Sequence, residues 1–132
     1  MKSPITTSLT FQDGNAEKAM NLYVSVFENA KIHNIIRWGE NAPVAEGKIM
    51  QARFEINESL FLCSDSPAVH DWSFSPASTL YIECDDDTEI EHLTSQLSKN
   101  GQIMMPLDNY GFSQKFTLFT DAFGVSWQLN LA

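Results

Sequence analysis

Thr79-Leu80-Tyr81-Ile82-Glu83-Cys84-Asp85-Asp86-Asp87-Thr88-Glu89-Ile90-Glu91 is the stretch on which the fold turns. A short β-prone run over 79–84 gives way to acids, and then to Ile90, Leu93 and Leu97 at helical spacing. Thr88 with Glu91 three residues on has the form of a capping box, and Asn100-Gly101 is a helix-ending signal. Strand-like runs follow at 102–105, 114–120 and 125–131, the last two joined by Asp121-Ala122-Phe123-Gly124. The order is strand, helix, three strands.

The same order stands earlier in the chain. Ile5, Leu9 and Phe11 alternate with Thr6, Ser8 and Thr10, the period of a half-buried strand. After the turn Gln12-Asp13-Gly14, Asn15 is placed to cap a helix carrying Ala16, Ala19, Met20, Tyr23, Val26 and Phe27 and running to about residue 28. Strands are expected at 31–38, 48–56 and 59–65, the last two forming a hairpin across Asn57-Glu58. Residues 66–77 hold Pro67 and Pro76 and read as a linker. The expectation is an internal duplication within one domain spanning 1–132: module one at about 5–65, the linker at 66–77, and module two at about 78–131. The class is α+β. Two βαβββ modules each bury one sheet face on a helix, and their curved mixed sheets enclose a cleft with the other.

Composition narrows the function. The 132 residues are 43% apolar and 19% charged, ordinary for a single globular domain. Seventeen acids against eight bases give a net charge of −9. No basic stripe exists to neutralise phosphates, so no nucleic-acid partner is expected. No apolar run reaches the roughly 18 residues of a membrane span, so no membrane partner is expected either. The polar start, without the apolar region of a signal peptide, points to the cytoplasm. Cys63 and Cys84 stand apart in apolar strands, which suits reduced core thiols and not a C-x-x-C metal or redox pair.

Strand parity assigns the faces. Leu9, Phe11, Phe54, Ile56, Leu80, Ile82, Val125, Trp127 and Leu129 turn to the helices, whereas Ser8, Gln51, Arg53, Thr79, Tyr81, Ser126 and Gln128 turn to the cleft. Arg53 is suited to hold a carboxylate or phosphate, or else pairs with Glu55 on the same face. Tyr81 offers a phenol to a ligand or to packing. In the linker, His70 is either a base over the cleft mouth or an exposed loop histidine. Trp72 and Phe74 form either an aromatic wall for a flat ligand or a plug. His33, with no carboxylate at i±2, and His92, beside Glu89 and Glu91, read as structural or solvent-facing. Asp85-Asp86-Asp87 precedes helix amides and suits capping better than cation binding.

The duplicated order, with Phe11-Gln12-Asp13-Gly14-Asn15-Ala16-Glu17-Lys18-Ala19 leading into Asn21-Leu22-Tyr23, and with Phe123-Gly124-Val125-Ser126-Trp127-Gln128 near the end, resembles the vicinal oxygen chelate superfamily of glyoxalases, bleomycin-resistance proteins and extradiol dioxygenases. Phe74-Ser75-Pro76-Ala77 is similar to its PhnB-like branch, whose members are often labelled demethylubiquinone-methyltransferase-like. The resemblance implies paired βαβββ modules and a homodimer. It also implies, in the enzymes, a divalent metal on inward residues of the first, fourth, fifth and eighth strands. Those positions fall here on Ser8, near Leu62 or Cys63, on Thr79 and on Gln128, a set in which only Gln128 is an accepted ligand type. No metal and no other cofactor is therefore expected. A methyl donor is commonly held by a Gly-rich strand-to-helix turn, and Asp13-Gly14-Asn15 has a single glycine.

The expected function is binding of a small neutral or singly anionic molecule in a metal-poor cleft, by sequestration or as an enzyme of unidentified reaction. Two alternatives stand beside it: a metal-dependent lyase, isomerase or dioxygenase of the glyoxalase type, and a structural or interaction dimer with a plugged cleft.

Overall fold

The computed structural model describes all of residues 1–132, and the chain divides into two units, Met1–Asp71 and Trp72–Ala132. The first contains β1 (Thr7–Phe11), α1 (Ala16–Val26), β2 (Ala30–Arg37), β3 (Ile49–Ile56) and β4 (Ser59–Asp65). Its sheet has the order β1-β4-β3-β2, with β1 parallel to β4 and the other pairs antiparallel. The second contains β5 (Leu80–Glu83), α2 (Asp87–Leu97), β6 (Gln102–Asp108), β7 (Lys115–Thr120) and β8 (Ser126–Leu131). Here the order is β5-β8-β7-β6, with β5 parallel to β8, so the two units repeat one topology. A parallel pair cannot be closed by a hairpin; in each unit the helix carries the chain to the far edge, and the meander brings it back beside the first strand. Two helices and two four-stranded mixed sheets make an α+β fold.

Each sheet buries one face on its helix. Ala16 and Ala19 are fully buried, and such small residues let α1 lie close to the sheet, where the ring of Tyr23 meets that of Phe54 and Met20 is buried beside them on the same helix. The Phe54 and Phe61 rings stack at 5.2 Å. In the second unit Ile90, Leu93 and Leu97 of α2 cover a layer that includes Phe119, Trp127 and Leu129. Burial of this kind supplies about 1.5–3 kcal/mol for each large apolar side chain. Leu80 and Ile82 are only half-buried, because β5 is an edge strand. Cys63 and Cys84 are buried free thiols.

The helix starts differ from the sequence expectation. Asn15 makes no side-chain cap; the Ala16 N–H donates instead to Asp65 Oδ1 at 3.0 Å, and the other carboxylate oxygen of Asp65 accepts from the Ile49 N–H at 2.8 Å. A buried carboxylate from the end of β4 thus caps α1, matching the helix dipole and tying it to β3. In α2 the cap is Asp86 and not Thr88: its carboxylate accepts from the Glu89 N–H at 2.8 Å, while Glu89 reaches back to the Asp85 N–H at 2.8 Å. The box sits two residues earlier than expected, because aspartate competes well for the N-cap.

Other differences are local. Asn100 takes the left-handed conformation, with φ 59°, after α2. Gly101 serves another purpose, since a Cβ there would fall 1.9 Å from the Thr120 carbonyl oxygen. Strand β6 continues to Asp108 through Pro106, which an edge strand with register shifts tolerates. Both Asn57 and Glu58 have positive φ, 47° and 72°, as a primed two-residue hairpin turn demands. No helix is long and apolar enough to cross a membrane.

Candidate functional site

The site residues expected from the sequence fall on the sheet faces turned away from the helices and on the segment joining the units. Each unit is described by itself.

On the first sheet the register aligns Ser8 of β1 with Leu62 of β4, Leu62 with Arg53 of β3, and Arg53 with Asn34 of β2. Residues opposite one another share a face, so Ser8 and Arg53 look the same way with Leu62 between them. The uncertain fourth-strand position is thereby Leu62, whereas Cys63 pairs with buried Leu9 on the core side. Gln51, two residues before Arg53, is exposed on the same face. The Arg53 side chain is exposed and makes no hydrogen bond or ion pair. Its expected competitor Glu55 is engaged elsewhere: His33 Nε2 lies 2.6 Å from Glu55 Oε1, and Lys31 Nζ lies 4.0 Å from it. His33 therefore does meet a carboxylate, supplied across the strand pair and not along its own strand. The chain's other arginine, Arg37, is tied to Glu17 of α1 by two hydrogen bonds of 2.8 and 2.7 Å.

On the second sheet Tyr81 of β5 lies opposite Gln128 of β8, which lies opposite Leu118 of β7. Gln128 donates from Nε2 to Thr79 Oγ1 at 3.0 Å, joining two of the expected residues. The Tyr81 hydroxyl donates to Glu83 Oε1 at 2.5 Å, and Asn130 Nδ2 reaches the same carboxylate at 3.2 and 3.1 Å. These hydrogen bonds hold the Glu83 carboxyl below the usual carboxylate range, and the bond to Glu83 pushes the Tyr81 phenol above the usual tyrosine range. Glu83 and Asn130 were not singled out from the sequence. Their signal is the parity already used for Tyr81 and Gln128. Ser126 does not join an open face: it is 2% exposed and its hydroxyl has no hydrogen-bond partner.

The joining segment is less uniform. The His70 backbone N–H donates to the Gln12 side-chain carbonyl, and its Nε2 lies 3.3 Å from Ser66 Oγ, so the imidazole belongs to a bonded loop. Trp72 is 53% exposed. The Phe74 side chain lies against Gly124, 3.7 Å from where a Cβ would stand, in a turn with φ 91°. Buried Asp121 organises that turn: it accepts from the Phe123 N–H at 2.9 Å and the Val125 N–H at 3.1 Å, and from Trp127 Nε1 at 2.9 Å.

The donor set does not fit a divalent metal. Ser8 is a neutral hydroxyl beside apolar Leu62, Thr79 and Gln128 are bonded to each other, and no three His, Cys, Asp or Glu side chains group to hold an ion. The α1 entry turn is equally unlike a nucleotide-type donor loop. Lys48 lies over Gly14, its Nζ donating to the Gly14 carbonyl at 3.1 Å.

A family model described as 3-demethylubiquinone-9 3-methyltransferase matches residues 3–130. Among solved structures, a PhnB protein from Bacillus cereus, provisionally described as a 3-demethylubiquinone-9 3-methyltransferase, is 45% identical over 98% of this chain and 100% of its own, with a TM-score of 0.95. Protein PA1353 from Pseudomonas aeruginosa is 26% identical over 98% of each chain, with a TM-score of 0.84. A glyoxylase/bleomycin resistance protein/dioxygenase domain from Frankia sp. is 14% identical over 100% of this chain and 93% of its own, at a TM-score of 0.66, a likeness of fold alone. No curated protein matches the chain.

Proposed function

The chain belongs to the PhnB-like 3-demethylubiquinone-9 3-methyltransferase family of the vicinal oxygen chelate fold, and from that premise we propose that it binds a small neutral or singly anionic molecule on its open sheet faces. The residues are Ser8, Gln51 and Arg53 on the first sheet and Thr79, Tyr81 and Gln128 on the second. The two modules act as one domain, in the cytoplasm, as a homodimer, without nucleic-acid or membrane partners. The observation that carries the reading is the unpaired Arg53 guanidinium, exposed while Glu55 is taken by His33. A free guanidinium on a rigid strand presents a planar fork to one carboxylate or phosphate. The strongly acidic chain, at −9, disfavours polyanions at longer range.

Tyr81 enters this reading as an acceptor, because its hydroxyl proton is already engaged in the hydrogen bond to Glu83. Trp72 supplies exposed aromatic surface for the flat part of a ligand, whereas Phe74 has its own packing role against Gly124. Binding is preferred to methyl transfer because the one strand-to-helix turn that could hold a donor is occupied by Lys48.

The test is a thermal-shift screen of small metabolites, including benzoate, phenyl phosphate and neutral benzamide, repeated on Arg53→Ala. Losing a charge-assisted hydrogen bond costs about 1.5–3 kcal/mol, so anionic hits should weaken roughly ten- to a hundredfold. Unchanged affinity for every anionic hit overturns the assignment of Arg53.

A further inference from the structure

We propose that the second sheet carries a separate site for a small organic cation, a protonated amine or quaternary ammonium bearing an apolar substituent, formed by the Glu83 carboxylate and the rings of Tyr110, Phe112 and Phe116. The first observation is a rung of the sheet. Asp108 of β6 lies opposite Phe116 of β7, Phe116 opposite Asn130 of β8, and Asn130 opposite Glu83 of β5. Directly opposed residues share a face, so a carboxylate stands at each end of a rung that has an aromatic ring within it.

The second observation is how Glu83 is held. It is exposed, yet its carboxylate accepts from Tyr81 at 2.5 Å and from Asn130 at 3.2 and 3.1 Å, and Asn130 is itself fixed by the Ser113 hydroxyl at 2.6 Å. No basic side chain pairs with it. The nearest lysine in register, Lys115, has the opposite parity to Phe116 and is bound to Asp87 at 2.7 Å and Glu91 at 3.1 Å on the helix side. A carboxylate held ionised and oriented by neutral donors keeps its full charge and still has lone pairs to offer a cation.

The third observation is the ring cluster. Phe112 and Phe116 meet edge to face with centroids 5.1 Å apart, Tyr110 stacks on Phe112 at 6.4 Å, and Tyr110 meets Phe116 edge-on at 6.3 Å. Phe112 is 64% exposed, an unusual place for a phenylalanine, and Tyr110 is 39% exposed. The loop carrying them is fixed: Tyr110 donates to the Pro106 carbonyl at 2.5 Å, and the Gly111 N–H, at a residue with φ 97°, donates to Asn109 Oδ1 at 2.8 Å. Ser113 ties this loop directly to the group that orients Glu83. Exposed ring faces attract cations through their quadrupole, and the acid excess of the chain concentrates cations near the surface. Rings alone would suit any apolar partner; a ring cluster whose Phe116 shares a rung with unneutralised carboxylates selects a positive charge.

The experiment titrates the full chain with benzyltrimethylammonium, using benzyl alcohol as the neutral control, and follows backbone amide NMR shifts. The expected result is saturable shifts confined to residues near 81–83 and 108–116, absent with benzyl alcohol, with affinity falling about tenfold in Glu83→Gln and in Phe112→Ala. Equal shifts with benzyl alcohol, no shifts at these residues, or unchanged affinity in Glu83→Gln overturn the proposal. So does self-association that Phe112→Ala abolishes without any response to the cation, which would make the surface a contact between copies. Benzoate, the probe of Arg53, is titrated in parallel on Arg53→Ala, and the cation on Glu83→Gln, so each reading can fail without the other.

Discussion

At the scale of single residues the decisive facts concern which polar groups are already satisfied. Arg37 and Arg53 are the same residue type on neighbouring strands, yet one is bound to Glu17 and the other is free. Asp121 shows the opposite extreme, with a buried carboxylate serving two backbone amides and the Trp127 indole. Asp121→Ala removes the carboxylate that these three donors share. Each unsatisfied donor costs about 1–3 kcal/mol, and the turn relaxes to let water reach some of them, so a loss of roughly 3 kcal/mol is expected in urea unfolding. Asp121→Asn, which keeps one acceptor, should lose less. The Tyr81 and Glu83 pair makes a prediction about pH. Glu83 titrates below its ordinary value, so its contribution is present above that ordinary value and is lost as pH falls through the depressed one. Tyr81 titrates above its ordinary value, so its contribution is present below that ordinary value and is lost as pH rises through the elevated one. The pair is therefore complete across neutral pH. In an NMR titration Tyr81 should ionise above the ordinary tyrosine range, and Glu83→Gln should bring it down; no downward movement would mean the hydrogen bond is not the cause. Both thiols behave as core groups, burial pushing Cys63 and Cys84 up to about 12.

At the scale of elements the two helices solve one problem in different ways. Their first amides need acceptors, and α1 takes a buried carboxylate from the end of β4 whereas α2 uses its own acidic run. Asp86→Ala should therefore destabilise by about 1 kcal/mol, while Thr88→Ala, inside the first turn, should change little. Thermal unfolding of the two variants checks this, and a larger loss from Thr88→Ala would restore the cap to the position read from the sequence. The acidic run Asp85-Asp86-Asp87 reads as a capping element from its place before helix amides, and Asp86 fills that role, with Glu89 from the first turn closing the box. Position within the run was not legible, because Asp85, Asp86, Asp87 and Thr88 all have side chains able to cap. The strand pair β2 and β3 shows a similar limit. His33 had no carboxylate nearby in sequence and acquired Glu55 only when the strands paired with a register shift between Ile32 and Asn34.

For the whole molecule, one topology occurring twice accounts for the order of all ten elements. Each four-stranded sheet keeps two edge strands, and large side chains such as Ile36, Tyr81 and Phe112 remain exposed. Closed two-fold symmetry is an economical way to cover such surface, so sedimentation velocity should give a dimer; a monomer whose coefficient does not change with concentration would refute it. Alternation and helical spacing were enough to identify the duplicated order and most of the core, because burial on one face is a local, periodic property of the chain. They also assigned Ser8, Gln51, Arg53, Tyr81 and Gln128 to the faces away from the helices, where the structure finds each exposed or half-buried. Parity alone left Ser126 facing outward, yet it is buried, and left the fourth-strand position undecided between Leu62 and Cys63 until the pairing of Ser8 with Leu62 resolved it. What the sequence by itself determined is thus the periodic part: element types, their order and the sidedness of each strand. Only tertiary structure decided the partners, among them Asp65 with α1, Glu55 with His33, and Glu83 with Tyr81 and Asn130. The physical reason is range. Sidedness follows from the backbone repeat within a few residues, whereas a hydrogen bond or ion pair depends on strand register between segments that are distant in sequence.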